Sequence, residues 1–163
     1  MRVFRVIGRL LLAFCLAMLG LSLTSAIAAA LMRDRLADDA EPDDDEVEIA
    51  AIYTGREFRS LATSFRGGRF ICWYAGCEVD LRGARLHPAG GDLEVWTIFG
   101  GLRIRVPEDW RVRVRGMAVF GGASAMTTPL EELDPGPELS VRHRTLFGGF
   151  NLLAAPDDEL LAV

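Results

Sequence analysis

The sequence predicts an all-β fold: a short β-solenoid of single strands, about five rungs long, behind one N-terminal transmembrane helix. Three observations carry that prediction. An aromatic residue followed by Gly-Gly, or a weakened version of it, recurs as Tyr53-Thr54-Gly55, Tyr74-Ala75-Gly76, Phe99-Gly100-Gly101, Phe120-Gly121-Gly122 and Phe147-Gly148-Gly149, at spacings of 21, 25, 21 and 27 residues. From Glu48 onward helical periodicity is absent and apolar residues alternate with polar ones. A single long apolar run precedes both features.

That run, Leu10 to Met32, holds 23 residues whose only polar members are Ser22, Thr24 and Ser25. A spanning helix needs about 20 such residues. Arg2, Arg5 and Arg9 precede it, while Arg33 and Arg35 follow, diluted by Asp34, Asp38 and Asp39. The positive-inside bias then sets the N-terminus in the cytoplasm and the rest outside a plasma or inner membrane, single-pass. Residues 1–32 are accordingly read as an anchor. Ala26-Ile27-Ala28 offers the competing reading of a cleaved signal peptide.

Residues 33–48 hold nine acids against two arginines, and residues 49–154 hold thirteen arginines against eleven acids. The acidity of the chain therefore belongs to a linker, expected to be extended and solvated. An EF-hand glycine and terminal glutamate are missing from it, so a calcium loop is set aside. The near-neutral remainder lacks the basic field that nucleic acid requires.

Within the repeat region, read as residues 49–154, Leu102, Ile104 and Val106 alternate with Arg103 and Arg105. Val112 and Val114 alternate with Arg111, Arg113 and Arg115 after a corner at Pro107, which cannot donate to a ladder. Glycine recurs either because a turn needs a φ that other residues resist or because neighbouring backbones approach closely. Aligned on the second glycine, the later four copies place Cys77, Leu102, Ala123 and Phe150 in one apolar column and Val79, Ile104, Ala125 and Leu152 in another. Both columns should face the interior. Arg56 breaks the first column, as suits a terminal rung. Residues 128–137 read as a looped-out insertion, and the tail 155–163 as a cap on the last rung.

The stretch Phe99-Gly100-Gly101-Leu102-Arg103-Ile104-Arg105-Val106-Pro107-Glu108-Asp109-Trp110-Arg111-Val112, with Cys77-Glu78-Val79-Asp80-Leu81-Arg82-Gly83-Ala84, resembles the LiaF-type C-terminal domain of bacterial proteins of the cell-wall-active antibiotic response. The resemblance covers about residues 50–153. It implies a right-handed β-solenoid attached to a membrane region, with no catalysis of its own, that modulates a sensor-kinase stress pathway. Regulatory members carry several membrane helices, whereas this chain offers one.

The remaining chemistry is sparse. Cys72 and Cys77 are expected to be buried free thiols acting as small apolar residues, with a disulfide as the alternative. His87 and His143 lie too far apart in sequence for a metal pair, and no metal or cofactor is expected. Asp80 and Asp109 each flank a turn, where a carboxylate accepts backbone N–H bonds. No Gly-x-Ser-x-Gly elbow occurs, and no enzyme activity is expected. Arg103, Arg105, Arg111, Arg113 and Arg115 form the candidate interaction surface, a stripe for anionic lipid, a cell-wall polymer or the acidic linker, since a basic residue near an anionic surface is worth about 1 kcal/mol. The function expected is that of a membrane-anchored accessory module acting by contact, with a protein such as a membrane sensor kinase or with a surface. The alternative is a structural scaffold built by end-to-end stacking.

Overall fold

The computed structural model describes residues 7–16, 19, 20, 23, 24, 27 and 40–156. They fall into two units, Met1–Leu36 and Ala37–Val163. In the first, the described residues 7–16, 19, 20, 23, 24 and 27 are helical. Among the described residues no helix is long and apolar enough to cross a membrane. Much of the stretch 10–32, where a spanning helix is expected, lies outside the described residues, as do residues 33–39 and 157–163.

The second unit is all β. Its ten strands are β1 (Glu46–Ile52), β2 (Arg56–Arg59), β3 (Gly67–Trp73), β4 (Gly76–Asp80), β5 (Gly91–Ile98), β6 (Gly101–Val106), β7 (Arg111–Val119), β8 (Gly122–Met126), β9 (Glu138–Leu146) and β10 (Gly149–Ala154). Each aromatic–glycine copy joins an odd strand to the even one that follows. Odd strands form one parallel sheet, even strands another. β1 takes in Glu46–Glu48, because Val47 and Ile49 already alternate inward there. The preceding segment is tied to the domain as well: Arg66 N–H donates to the Asp45 carbonyl at 2.6 Å, and Leu61 N–H to that of Pro42.

Unit does not simply follow unit. A chain winding rung upon rung would order the first sheet β1-β3-β5-β7-β9, but the observed order is β1-β3-β5-β9-β7, and β2-β4-β6-β10-β8 in the second. The fifth copy thus lies between the third and fourth, and the fourth, β7/β8, forms the end of the stack. The physical reason is burial. Leu139, Val141, Phe150 and Leu152 on β9 and β10 offer large apolar side chains to a neighbour on each side, whereas β8 brings only Ala123 and Ala125 to its inner face and is exposed throughout, so more apolar surface is buried with β9 and β10 inside. Ala155 and Pro156 follow β10, beside an inner strand and not at the end of the stack.

The inward rows of both sheets make one hydrophobic cluster, from Val47, Ile49 and Phe58 at one end to Val112 at the other. Phe65 and Leu81, on the connections between units, are fully buried, and Trp110 lies against Phe65 at 6.1 Å between ring centroids. Cys72 and Cys77 are joined as a disulfide across the second aromatic turn, which corrects the expectation of free thiols. The inward direction of both residues brings the sulfurs together, since Cys72 ends one sheet's inner row where Cys77 begins the other's.

Candidate functional site

Five aromatic residues stack along one edge of the fold. Tyr53–Tyr74, Tyr74–Phe99, Phe99–Phe147 and Phe147–Phe120 lie 5.0, 4.8, 4.8 and 4.9 Å apart between centroids, with their planes nearly parallel. All five have positive φ, between 50 and 56°. The left-handed turn is therefore made by the aromatic residue, not the glycine. Parallel stacking at the strand spacing offsets the backbone cost of that conformation.

Glycine serves the close approach instead. A Cβ on Gly100 would fall on the carbonyl oxygen of Ala75, one on Gly148 on that of Gly100, and one on Gly121 on that of Gly148. The second glycine of each copy differs. A Cβ on Gly76, Gly122 or Gly149 would meet nothing within 4 Å. What these missing side chains create is a trough of about 910 Å³ running across the second sheet beside the aromatic edge. Glu57, Glu78, Arg103, Asn151 and Ser124 form its far wall, one from each even strand.

The structure divides the five candidate arginines. Arg103 and Arg105 lie on β6 in one sheet, and Arg111, Arg113 and Arg115 on β7 in the other, so they form no single stripe. Most are engaged. Arg105 pairs with Glu78 at 2.7 Å, and Arg103 approaches the same carboxylate at 3.9 Å. Arg113 makes two bonds to Glu138, at 2.6 and 2.9 Å. That bidentate bond, opposed by burial and aided by the charges of Arg113, Arg111 and Arg115, holds the Glu138 carboxyl below its usual range. Arg111 donates to the carbonyls of Leu130 and Leu133, fixing the insertion loop at 3.0 and 3.2 Å. Arg115 is exposed on β7, beside Arg142 in register.

Phe99, Gly100 and Gly101 belong to the third aromatic turn, while Pro107 and Trp110 close the turn at the opposite edge, where Trp110 N–H donates to the Pro107 carbonyl at 3.3 Å. Asp80 accepts from the Arg82 backbone at 3.1 Å and from its guanidinium at 2.9 and 2.8 Å. Burial would raise the Asp80 carboxyl, but those bonds and the charges of Arg82 and Arg59 hold it below the ordinary value. Glu78 and Asp80 thus engage different arginines, and Asp80 does not line the trough. His143 points inward and stacks on Phe150 at 4.6 Å, where burial lowers its pKa.

The outer face of the first sheet is a feature that sequence reasoning missed. Its register sets Ile52, Trp73, Ile98, Leu146 and Val119 in one row and Ala50, Ile71, Trp96, Arg144 and Met117 in the next. Beyond them runs a charged row, Glu48, Arg69, Glu94, Arg142 and Arg115. Arg69 bridges Glu48 and Glu94 at 3.3 and 3.2 Å, Arg144 reaches Glu94 at 3.0 Å, and the Arg144 guanidinium lies 4.5 Å above the Trp96 ring. Burial would raise the Glu94 carboxyl, but bonds from Trp96 and Arg69 and the charges of Arg69 and Arg144 outweigh it and lower it. Each row draws one residue from each of five strands, so no local segment displays it. The apolar members of period-two pairs such as Trp73 and Trp96 were the available signal. No protein-family model, curated protein or solved structure matches this chain.

Proposed function

We propose that this protein is a non-catalytic, membrane-anchored accessory or regulatory module of LiaF type, acting by contact in the bacterial cell-envelope stress response to cell-wall-active antibiotics. One observation carries the reading: the outer face of the first sheet, where rows containing Trp73, Trp96, Ile71 and Ile98 lie beside charges that largely neutralise each other. Such a flat, amphipathic face suits a protein partner, with Trp rings as anchors and ion pairs at the rim. The partner on this reading is a membrane sensor kinase or another envelope protein. Anionic lipid or wall polymer takes second place, because arginines spread over two sheets and paired with carboxylates lose their additive attraction. Nucleic acid is no partner.

The anchor reading rests on the apolar run 10–32 and on the flanking arginines. The Cys72–Cys77 disulfide supports an extracytoplasmic domain, since such bonds persist in oxidising compartments. A right-handed solenoid with its last two coils exchanged in order is the finer form of the fold on this reading, supported by five strand–turn–strand units set glycine over glycine.

Two measurements test it. Protease added to cells with permeabilised outer layers should cleave a C-terminal tag. Trp96→Glu should abolish the chain's effect on an antibiotic-induced envelope-stress reporter without lowering its amount in membranes. A tag protected until the inner membrane is breached overturns the topology, and full effect in Trp96→Glu overturns the role of this face.

A further inference from the structure

The two ends of the stack are unlike. At the β1/β2 end Val47, Ile49 and Ala51 are at most 2% exposed and Phe58 is 9% exposed, so the interior is closed by its own bulk. Glu46, Glu48, Arg56, Glu57 and Arg59 surround that edge with charge, which discourages strand addition. At the β7/β8 end the eleven residues Gly116–Met126 carry no charge at all. Met117, Phe120 and Met126 are 60, 77 and 61% exposed, and β8 is exposed along its whole length. Among the described residues each of β7 and β8 has a strand on one side only, and no strand pairs with its other edge. Phe120 stacks on Phe147 alone, at the end of the aromatic row.

We propose that the chain forms a closed, two-fold dimer in which the β7/β8 ends of two copies meet. Unpaired backbone along two edges is matched best by another such pair of edges, and the copy itself supplies it. Since only one end is open, the assembly stops at two and does not grow into a filament. Antiparallel pairing centred on Met117 sets Arg115 opposite Val119 and Arg113 opposite Gly121 of the second copy, so no like charges oppose each other. The size is adequate. Nine residues of β7 extend about 30 Å and two sheets with their side chains span about 20 Å, so each copy covers on the order of 600 Å², at the lower bound for a specific interface. The two described residues beyond β10 are held away from that end: Ala155 N–H donates to the Val106 carbonyl at 3.0 Å, and Arg82 donates to the Pro156 carbonyl at 3.3 Å, on the side of β10 away from β8. The inference concerns the stack end and holds whichever partner occupies the outer face of the first sheet.

Sedimentation equilibrium of the full chain in density-matched detergent tests it. A dimer is expected, weakened at least tenfold by Met117→Lys with Met126→Lys while urea unfolding stays cooperative. In a Cys15→Ser background, Ser124→Cys should cross-link to a dimer with a short bismaleimide, and Arg59→Cys, at the closed end, should not. The cross-linking pair decides the matter should the lysine variant misfold, because both cysteines replace exposed side chains. A monomer at every concentration overturns the proposal. So do higher oligomers, which need both ends, or a dimer that survives the lysines and cross-links equally at both cysteines, which would place the contact in the N-terminal segment.

Discussion

Consecutive glycines in one turn carry opposite steric demands. Gly148 lies over the Gly100 backbone, and an alanine Cβ there would fall on its carbonyl oxygen. Gly149, the next residue, would direct its Cβ into open space, and its φ is not in the left-handed region. Gly148→Ala should therefore destabilise the domain by about 1–3 kcal/mol, the usual cost of forcing an extra methyl into packed surroundings. Gly149→Ala should be neutral or stabilising by up to about 1 kcal/mol, through loss of freedom in the unfolded chain. Urea unfolding followed by tryptophan fluorescence checks the pair, and equal effects would mean that backbone approach does not distinguish them. A harmless Gly149→Ala would also leave the open trough as the reason that the second glycine occurs in all five copies.

The aromatic turn is the repeating element, and it couples strain to stacking. Phe147 lies between Phe99 and Phe120 at a φ of 52°. Removing its ring breaks two stacked contacts in the middle of the row, each worth about 0.5–1.5 kcal/mol. Phe147→Ala should cost about 2–3 kcal/mol in all, because alanine keeps the left-handed strain and loses its compensation. Phe147→Gly should cost about 1 kcal/mol less, since glycine adopts that φ freely. Thermal melts of the two variants give the order directly, and an alanine variant as stable as the glycine one would remove strain from the account. Much of this element was legible in the sequence. Aligning the glycines placed Cys77, Leu102, Phe150 and Ala123 in a column, and those residues are paired in register. The residue carrying positive φ was not legible, because glycine is the usual occupant of that conformation and an aromatic row can only be recognised once the turns are stacked. The arginine stripe failed for a related reason: alternation shows that Arg105 and Arg113 face outward, but the turn at Pro107 sends them to different sheets.

At the scale of the whole molecule, the order of units is invisible to any alignment of copies, since every copy fits every neighbour in register. What decides it is how much each unit must bury. β9 and β10 carry the large apolar Leu139, Val141, Phe150 and Leu152, so more surface is buried with them inside, while the alanines of β8 tolerate the end. Chain connectivity then has an unusual consequence. Deleting residues 111–137 removes the end unit with its insertion loop and joins Trp110 to Glu138, leaving units one, two, three and five already adjacent. The shortened chain should still unfold cooperatively, although exposure of one face of β9 and β10 would lower its stability by several kcal/mol at about 25 cal/mol per Å² newly exposed. Deleting residues 138–154 removes an internal unit instead, and β7 and β8 lose their only partners while offering little apolar surface to a new one. That chain should expose 111–126 to protease even where the remainder resists. Were the units stacked in chain order, the outcomes would be reversed: the C-terminal deletion would leave an intact four-unit stack, and the internal one would cut it in two. Limited proteolysis of the two deletions, followed by mass spectrometry of the protected fragment, distinguishes these cases, because strand order alone determines which truncation keeps every remaining inner strand between two neighbours.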